Sequence, residues 1–387
     1  MSQSSVDLIV LSTFGLEAVV GRELKALGYS DFQTQDGRIT FTADLDAICK
    51  TNLWLRSADR VLIKMGQFKA FDFGELFDRT TDLPWEKWLP ANAEFPVRGK
   101  SIKSELHSVP TCQSIVKKAI VKRLQQAYRK DWFPEDGPTY AIEVAIRNDE
   151  VILSLDTSGA GLHKRGYRKS MGPSPLKETL AAGLVQLSYW NAERLLVDPF
   201  CGTGTILIEA AWIGRNIAPG LGRSFAAERW PIIDRKKWTD ARSAAVNAQR
   251  HDIAMPRMQG YDNDRRALGM SRLHAQEANV ADDIHFQQQE FEDFTNSRKY
   301  GCLITNPPYG VRSGEVEEAE EIYRQMGRIF SELDTWSKYV ITPHSDFEQL
   351  VGSSAGRRRK LYNGNIACTY HQFPGPRPPR TESSETE

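Results

Sequence analysis

Between Leu195 and Ala211 a short apolar run, Leu195-Leu196-Val197-Asp198, breaks into Pro199-Phe200-Cys201-Gly202-Thr203-Gly204 and then a helix-forming stretch. An apolar strand that feeds through a glycine turn into a helix belongs in an open α/β sheet, covered on both faces. Four more apolar runs continue the pattern at Met258–Tyr261, Ile284–Gln288, Cys302–Thr305 and Lys338–Ile341, with helical stretches between them. Lys360–Tyr362 and Ala367–Phe373, separated by Asn363-Gly364-Asn365, read as a closing antiparallel hairpin.

Ligands of such a sheet collect beyond the carboxyl ends of its strands, where glycine admits close backbone approach and a Cβ would occupy ligand space. The full G-x-G-x-x-G fingerprint and a Gly-Lys-Ser/Thr phosphate loop are both missing, which argues against dinucleotides and nucleoside triphosphates. A lone G-x-G is equally compatible with packing. Asp262, at the tip of the second strand, can accept both ribose hydroxyls of a nucleoside or merely cap the next helix. Glu290, after the third strand, is a candidate acceptor for an adenine amino group, or a solvated charge.

The fourth strand runs into Asn306-Pro307-Pro308-Tyr309-Gly310. An Asn side-chain oxygen and the Pro307 carbonyl can each accept one N–H of an amino group conjugated to a base, aiming its weak lone pair at an electrophile. Two prolines stiffen the loop, and Tyr309 offers a face for a base lifted from its stack. The glycine turn and this loop together imply methyl transfer from S-adenosylmethionine to an exocyclic nitrogen.

The first half has a different texture. Leu8–Ser12 and Gly37–Phe41 read as strands around a helix at Leu16–Leu24. Val61–Met65, a helix near Phe73–Arg79 and an extended Phe95–Gly99 follow, then a helix with Ile115, Val116, Ala119, Ile120 and Leu124 on one side. Tyr140–Ile146 and Val151–Leu155 pair around an Asn148-Asp149 turn. Fifty basic residues balance fifty acidic ones, so nucleic-acid binding must come from local patches. Five scattered cysteines without a C-x-x-C disfavour disulfides and structural zinc, and no His/Cys/carboxylate set suggests a metal. No stretch approaches 18 apolar residues, so the expectation is a cytoplasmic protein without membrane contact.

Residues 160–373 resemble class I S-adenosylmethionine-dependent methyltransferases of the RNA guanine-N2 branch, through Pro175–Ala182, Asp198–Ile208, Asn306–Gly310 and Leu361–Gly364. Residues 60–157 resemble a THUMP RNA-binding domain, through Ser101–Pro110 and Gln113–Leu124. The whole chain is similar to the 23S rRNA guanine-N2 methyltransferase half and its stand-alone relatives. The resemblance implies a Rossmann-like sheet over 175–375, a ferredoxin-like α+β subdomain over 1–60 and THUMP over 61–158; a basic, glycine-containing stretch reads as a linker over 159–174 and the polar end as a disordered tail over 376–387. It implies that Pro175, Leu176 and Lys177 line the cofactor's methionine end. Asp198, Pro199, Cys201, Gly202, Gly204 and Thr205 would hold its body, Asp262 its ribose, and Asn306, Pro307, Pro308 and Tyr309 the target base. Two departures stand out: Glu290 where the family usually has Asp, and a long gap between Gly204 and Asp262 containing Arg223-Ser224-Phe225 and Trp230, which could touch RNA or pack.

Three basic clusters are candidate RNA contacts: Lys117, Lys118, Lys122 and Arg123; Lys164, Arg165, Arg168 and Lys169; and Arg357–Lys360. Each is equally a solvated face. The expected partner is RNA, with ribosomal RNA favoured. An adenine-N6 DNA methyltransferase and a tRNA guanine-N2 methyltransferase are the alternatives.

Overall fold

The computed structural model describes residues 5–168, 176–310 and 315–379, which fall into two compact units. Unit 1 contains the chain up to Ser12, Val20–Lys164 and Ala218–Asn247. Its strands are β1 (Val6–Ser12), β2 (Gln33–Gln35), β3 (Arg38–Ala43), β4 (Ala58–Lys69), β5 (Val97–Ile102), β6 (Ile142–Arg147) and β7 (Glu150–Asp156), in the order β2-β3-β1-β4-β7-β6-β5. Strand alternation sorts the side chains. Leu8 and Val10 of β1 enter the main core with Phe41 and Ile63, while Ile9 packs on the opposite face with Leu62 and Ile152. The sheet continues through the boundary expected at residue 60, because β4 pairs with both β1 and β7.

Helices α1 (Glu17–Ala26), α2 (Asp46–Trp54), α3 (Phe73–Thr81) and α4 (Val109–Tyr128) occur in this first half. The α4 stripe of Val116, Ala119, Ile120 and Leu124 is buried, as its spacing predicts. Residue spacing carries no signal for α2. This helix buries Ala47, Ile48, Cys49, Thr51, Asn52 and Leu53, too broad a surface to leave an amphipathic stripe.

Unit 2 contains Thr13–Val19, Arg165–Ile217 and the chain from Ala248 onward. It begins with α5 (Glu178–Leu187), β8 (Leu196–Asp198) and α6 (Thr205–Gly214). After an excursion into unit 1 that includes α7 (Arg235–Asn247), it resumes with β9 (Met258–Asp262), α8 (Arg265–Glu277), β10 (Ile284–Gln288), β11 (Cys302–Thr305), α9 (Glu315–Glu332), β12 (Ser337–Thr342), α10 (Phe347–Val351), β13 (Arg357–Asn363) and β14 (Ile366–Phe373). The strand order is β10-β9-β8-β11-β12-β14-β13. β8 to β12 are parallel, and β14 is antiparallel to β12. The chain steps outward from β8 to β9 on one side while β11 lies on the other, so a topological switch point sits between β8 and β11.

The long insertion packs. Phe225, Trp230, Ile233 and Trp238 join the unit 1 core; Trp230 stacks on Tyr140 at 4.4 Å and donates from Nε1 to the Thr139 carbonyl at 3.0 Å. The Arg223 guanidinium donates to the carbonyls of Ser158, Ala160, Gly161 and Lys164. The expected linker is also partly structural, since Tyr167 lies in the core of unit 2. Residues 169–174 of that linker and 380–387 of the expected tail lie outside the described residues.

Candidate active site

β8 and β11 end side by side, and the two motifs follow them. The Thr305 hydroxyl, closing β11, donates to Asp198 Oδ1 at 2.6 Å, closing β8. From there the chain opens a cavity of about 960 Å³, lined by Asp198–Thr203, Asp262, Glu290 and Asn306–Tyr309. Leu176 and Thr205 also reach it. Lys177, at the N-cap of α5, is exposed and Gly204 is turned away, so neither lines the cavity; Pro175 lies outside the described residues.

The two glycines of the turn have different reasons. At Gly202 (φ +50°) an added Cβ would meet no protein atom within 4 Å, so the turn presents bare backbone beside the cavity. At Gly204 (φ +80°) it would press on the Phe286 ring at 2.9 Å, which makes that glycine a packing requirement. The expectation that ligand space demands both glycines is corrected for Gly204.

Asp262 ties the turn down. Its Oδ2 accepts from the Gly202 N–H at 2.8 Å, and its Oδ1 from the Asp264 N–H at 2.9 Å. The cap of α8 is Asp264, which accepts from the Arg266 N–H, so capping does not occupy Asp262. Each Asp262 oxygen keeps a lone pair for a ligand hydroxyl. Burial raises its carboxyl above the usual range. Burial also pushes Asp198 up to about 7, against the pull of the Thr305 hydroxyl and the Phe200 N–H and with a further push from Asp262. Glu290 sits exposed on the rim and accepts from Asn263 Nδ2 at 3.2 Å. Open backbone, two carboxylates and the apolar walls of Leu176, Met270 and Phe291 suit a nucleoside-bearing cation such as S-adenosylmethionine.

On the opposite wall the Tyr309 hydroxyl donates to Asn306 Oδ1 at 2.5 Å, and Asn363 Nδ2 donates to that hydroxyl at 3.2 Å. Asn306 therefore presents a fixed carboxamide with a second lone pair still available. Tyr309 packs partly on the core, and burial raises its phenol further above its ordinary range. Asn363 and Ile366 of the closing hairpin complete this wall. They were not expected here, although Asn363-Gly364 had marked the turn.

The cation clusters divide. Arg165 is buried against Glu209 at 3.3 Å; Arg168 pairs with Glu178 at 3.5 Å and donates to Thr205 Oγ1 and the Leu176 carbonyl. The expectation that these two guanidiniums face RNA is corrected, because buried carboxylates claim them. Lys117 is held by Glu135 and the Phe95 ring, and Arg123 by Glu86 in a two-pronged pair at 2.7 and 2.8 Å. Lys118, Lys122 and Lys164 are exposed, and Lys169 lies outside the described residues.

Known proteins bear the same layout. Residues 165–372 match the model of the RMKL-like methyltransferase domain, residues 7–62 the RlmL ferredoxin-like domain and residues 70–156 the THUMP domain. The chain is 45% identical to the putative RNA methyltransferase YpsC of Bacillus subtilis, over 95% of each chain. It is 32% identical to the ribosomal RNA large subunit methyltransferase K/L of Cellvibrio japonicus, covering 93% of this chain and 50% of that one, and so spans about half the length of that relative. The crystal structure of SMU.472, described as a putative methyltransferase complexed with SAH, superposes with a TM-score of 0.92 at 42% identity, over 98% of this chain and 100% of that one.

Proposed function

This chain belongs to the RMKL-like methyltransferase family, and we propose that it methylates the exocyclic N2 of a guanine in large-subunit ribosomal RNA. The observation that carries the reading is the single cavity shared by the Gly202 turn and Asn306, at the switch point between β8 and β11. The names of the relatives support RNA as the substrate class, and the THUMP match agrees with it.

When bound, S-adenosylmethionine supplies an electrophilic methyl group on a sulfonium. Asp262 would accept from its ribose hydroxyls, and the open backbone at Gly202 would flank its body. On the opposite wall, Asn306 Oδ1 and the Pro307 carbonyl accept the two N–H groups of a flipped guanine. That orients the nitrogen lone pair toward the methyl carbon. The amine nitrogen would receive the methyl in exchange for one proton released to solvent, so no residue need take up charge. Orientation and desolvation carry the acceleration, and no side chain becomes a covalent intermediate.

Radiolabelled methyl transfer to total RNA and to duplex DNA tests the substrate class, with nucleoside mass spectrometry identifying the product. N2-methylguanosine in RNA is the expected outcome. N6-methyladenine in DNA, with none in RNA, overturns the reading. Asn306→Ala is expected to lower turnover by about 10²–10³-fold while cofactor binding persists.

A further inference from the structure

The closing hairpin carries a second feature on the side of its tip away from the cavity. Asn363 and Ile366 are cross-strand partners flanking the turn, and both line the cavity. Adjacent strand residues point to opposite faces, so Tyr362 looks outward one residue before Asn363. Segment Thr13–Val19, which belongs to unit 2, runs against this strand. Arg359 donates to the Gly15 carbonyl at 2.8 Å, and Gly15 (φ +91°) lies so close to the Lys360 carbonyl that a Cβ would collide. This contact sets the Phe14 ring edge-on to Tyr362, with centroids 6.0 Å apart. Lys360 Nζ stands 5.7 Å from the Tyr362 ring centroid. Phe14 remains 44% exposed. Arg357 and Lys360 are exposed, and among the described residues neither is in an ion pair, whereas neighbouring Arg358 is held by Glu348.

We infer that Phe14, Tyr362 and Lys360 form a stacking site for an unpaired RNA nucleotide next to the methylated one. The exposed Phe14 ring and the half-buried Tyr362 beside it offer π-faces to a base, and the adjacent cations suit its phosphates. The site adjoins the cavity through one strand residue, so a strand that inserts one base can rest a neighbouring base outside. The inference rests on RNA being the substrate, and it adds a surface that the cavity itself does not supply.

The test uses the full chain with in vitro transcribed large-subunit ribosomal RNA. Phe14→Ala and Tyr362→Ala are each expected to raise the RNA KM about tenfold. Turnover at saturating RNA and cofactor affinity by calorimetry stay unchanged, the latter also reporting an intact fold. Phe14→Trp is expected to keep wild-type KM, and Lys360→Gln to flatten the salt dependence of KM. An unchanged RNA KM in the Phe14→Ala/Tyr362→Ala double variant, with wild-type protein active, assigns the patch to packing or to a protein partner and overturns the inference. Wild-type protein that methylates no RNA overturns the proposed function instead, so the two failures are distinguishable.

Discussion

The two walls of the cavity are built differently. The cofactor side is set in the sheet. Asp198 is fully buried, Asp262 is bonded to two backbone N–H groups, and behind the turn Arg168 grips Thr205 while Arg165 is buried against Glu209. The target side consists of the loop after β11 and the tip of a hairpin, tied by side-chain bonds from Asn363 through Tyr309 to Asn306. One wall is preformed to receive a small ligand of fixed shape. The other has lone pairs and exposed apolar surface that a larger substrate must complete.

The strongest way to break this contrast is to remove the ionic backing of the cofactor wall. Arg165→Ala leaves Glu209 buried without its cation, and a stability loss of about 3–5 kcal/mol is expected in chemical denaturation. A loss below about 1 kcal/mol would mean the wall is not braced from behind.

Asp198 gives an intermediate effect with a pH signature. Its folded pKa of about 7 lies above the ordinary value of 3.8, so its contribution to stability is fully present below about pH 4 and is lost as pH rises through about 7. Asp198→Asn, which cannot ionise, is expected to melt higher than wild type at pH 8 relative to pH 4, by the equivalent of about 2–4 kcal/mol. Parallel melting profiles for the two proteins across that range would contradict it.

The smallest effect belongs to the target wall. Tyr309→Phe removes the hydroxyl that fixes Asn306, and turnover is expected to fall about five- to tenfold, roughly 1 kcal/mol. Stability and cofactor affinity hold. A change in cofactor affinity matching the loss of turnover would erase the distinction between the walls.

Much of the sheet of unit 2 was legible because β8, β9, β11 and β12 are short strands each followed by a helix, and because Asn306-Pro307-Pro308-Tyr309 and the glycine turn each sit at a strand end; the helix expected between β10 and β11 is only a short turn at Phe291–Asp293. The roles of the cations were not legible. Arg165 meets Glu209 across 44 residues and Arg123 meets Glu86 across 37, and no local pattern encodes such partners. Gly204 looked like a ligand glycine because a motif does not say which glycine faces the cavity. The insertion was ambiguous for a related reason: Trp230 reads equally as an RNA contact or as core until Tyr140 is found stacked on it.

That insertion constrains how the polypeptide can be made. Ala218–Asn247 supplies two tryptophans to the first core, and Gly220 donates its N–H to the Leu53 carbonyl at 2.9 Å. A nascent chain released only as far as Lys164 has the strands of that core but lacks these parts. Folding of the amino-terminal unit therefore finishes only after the glycine turn has emerged from the ribosome, and no single cut yields either unit whole.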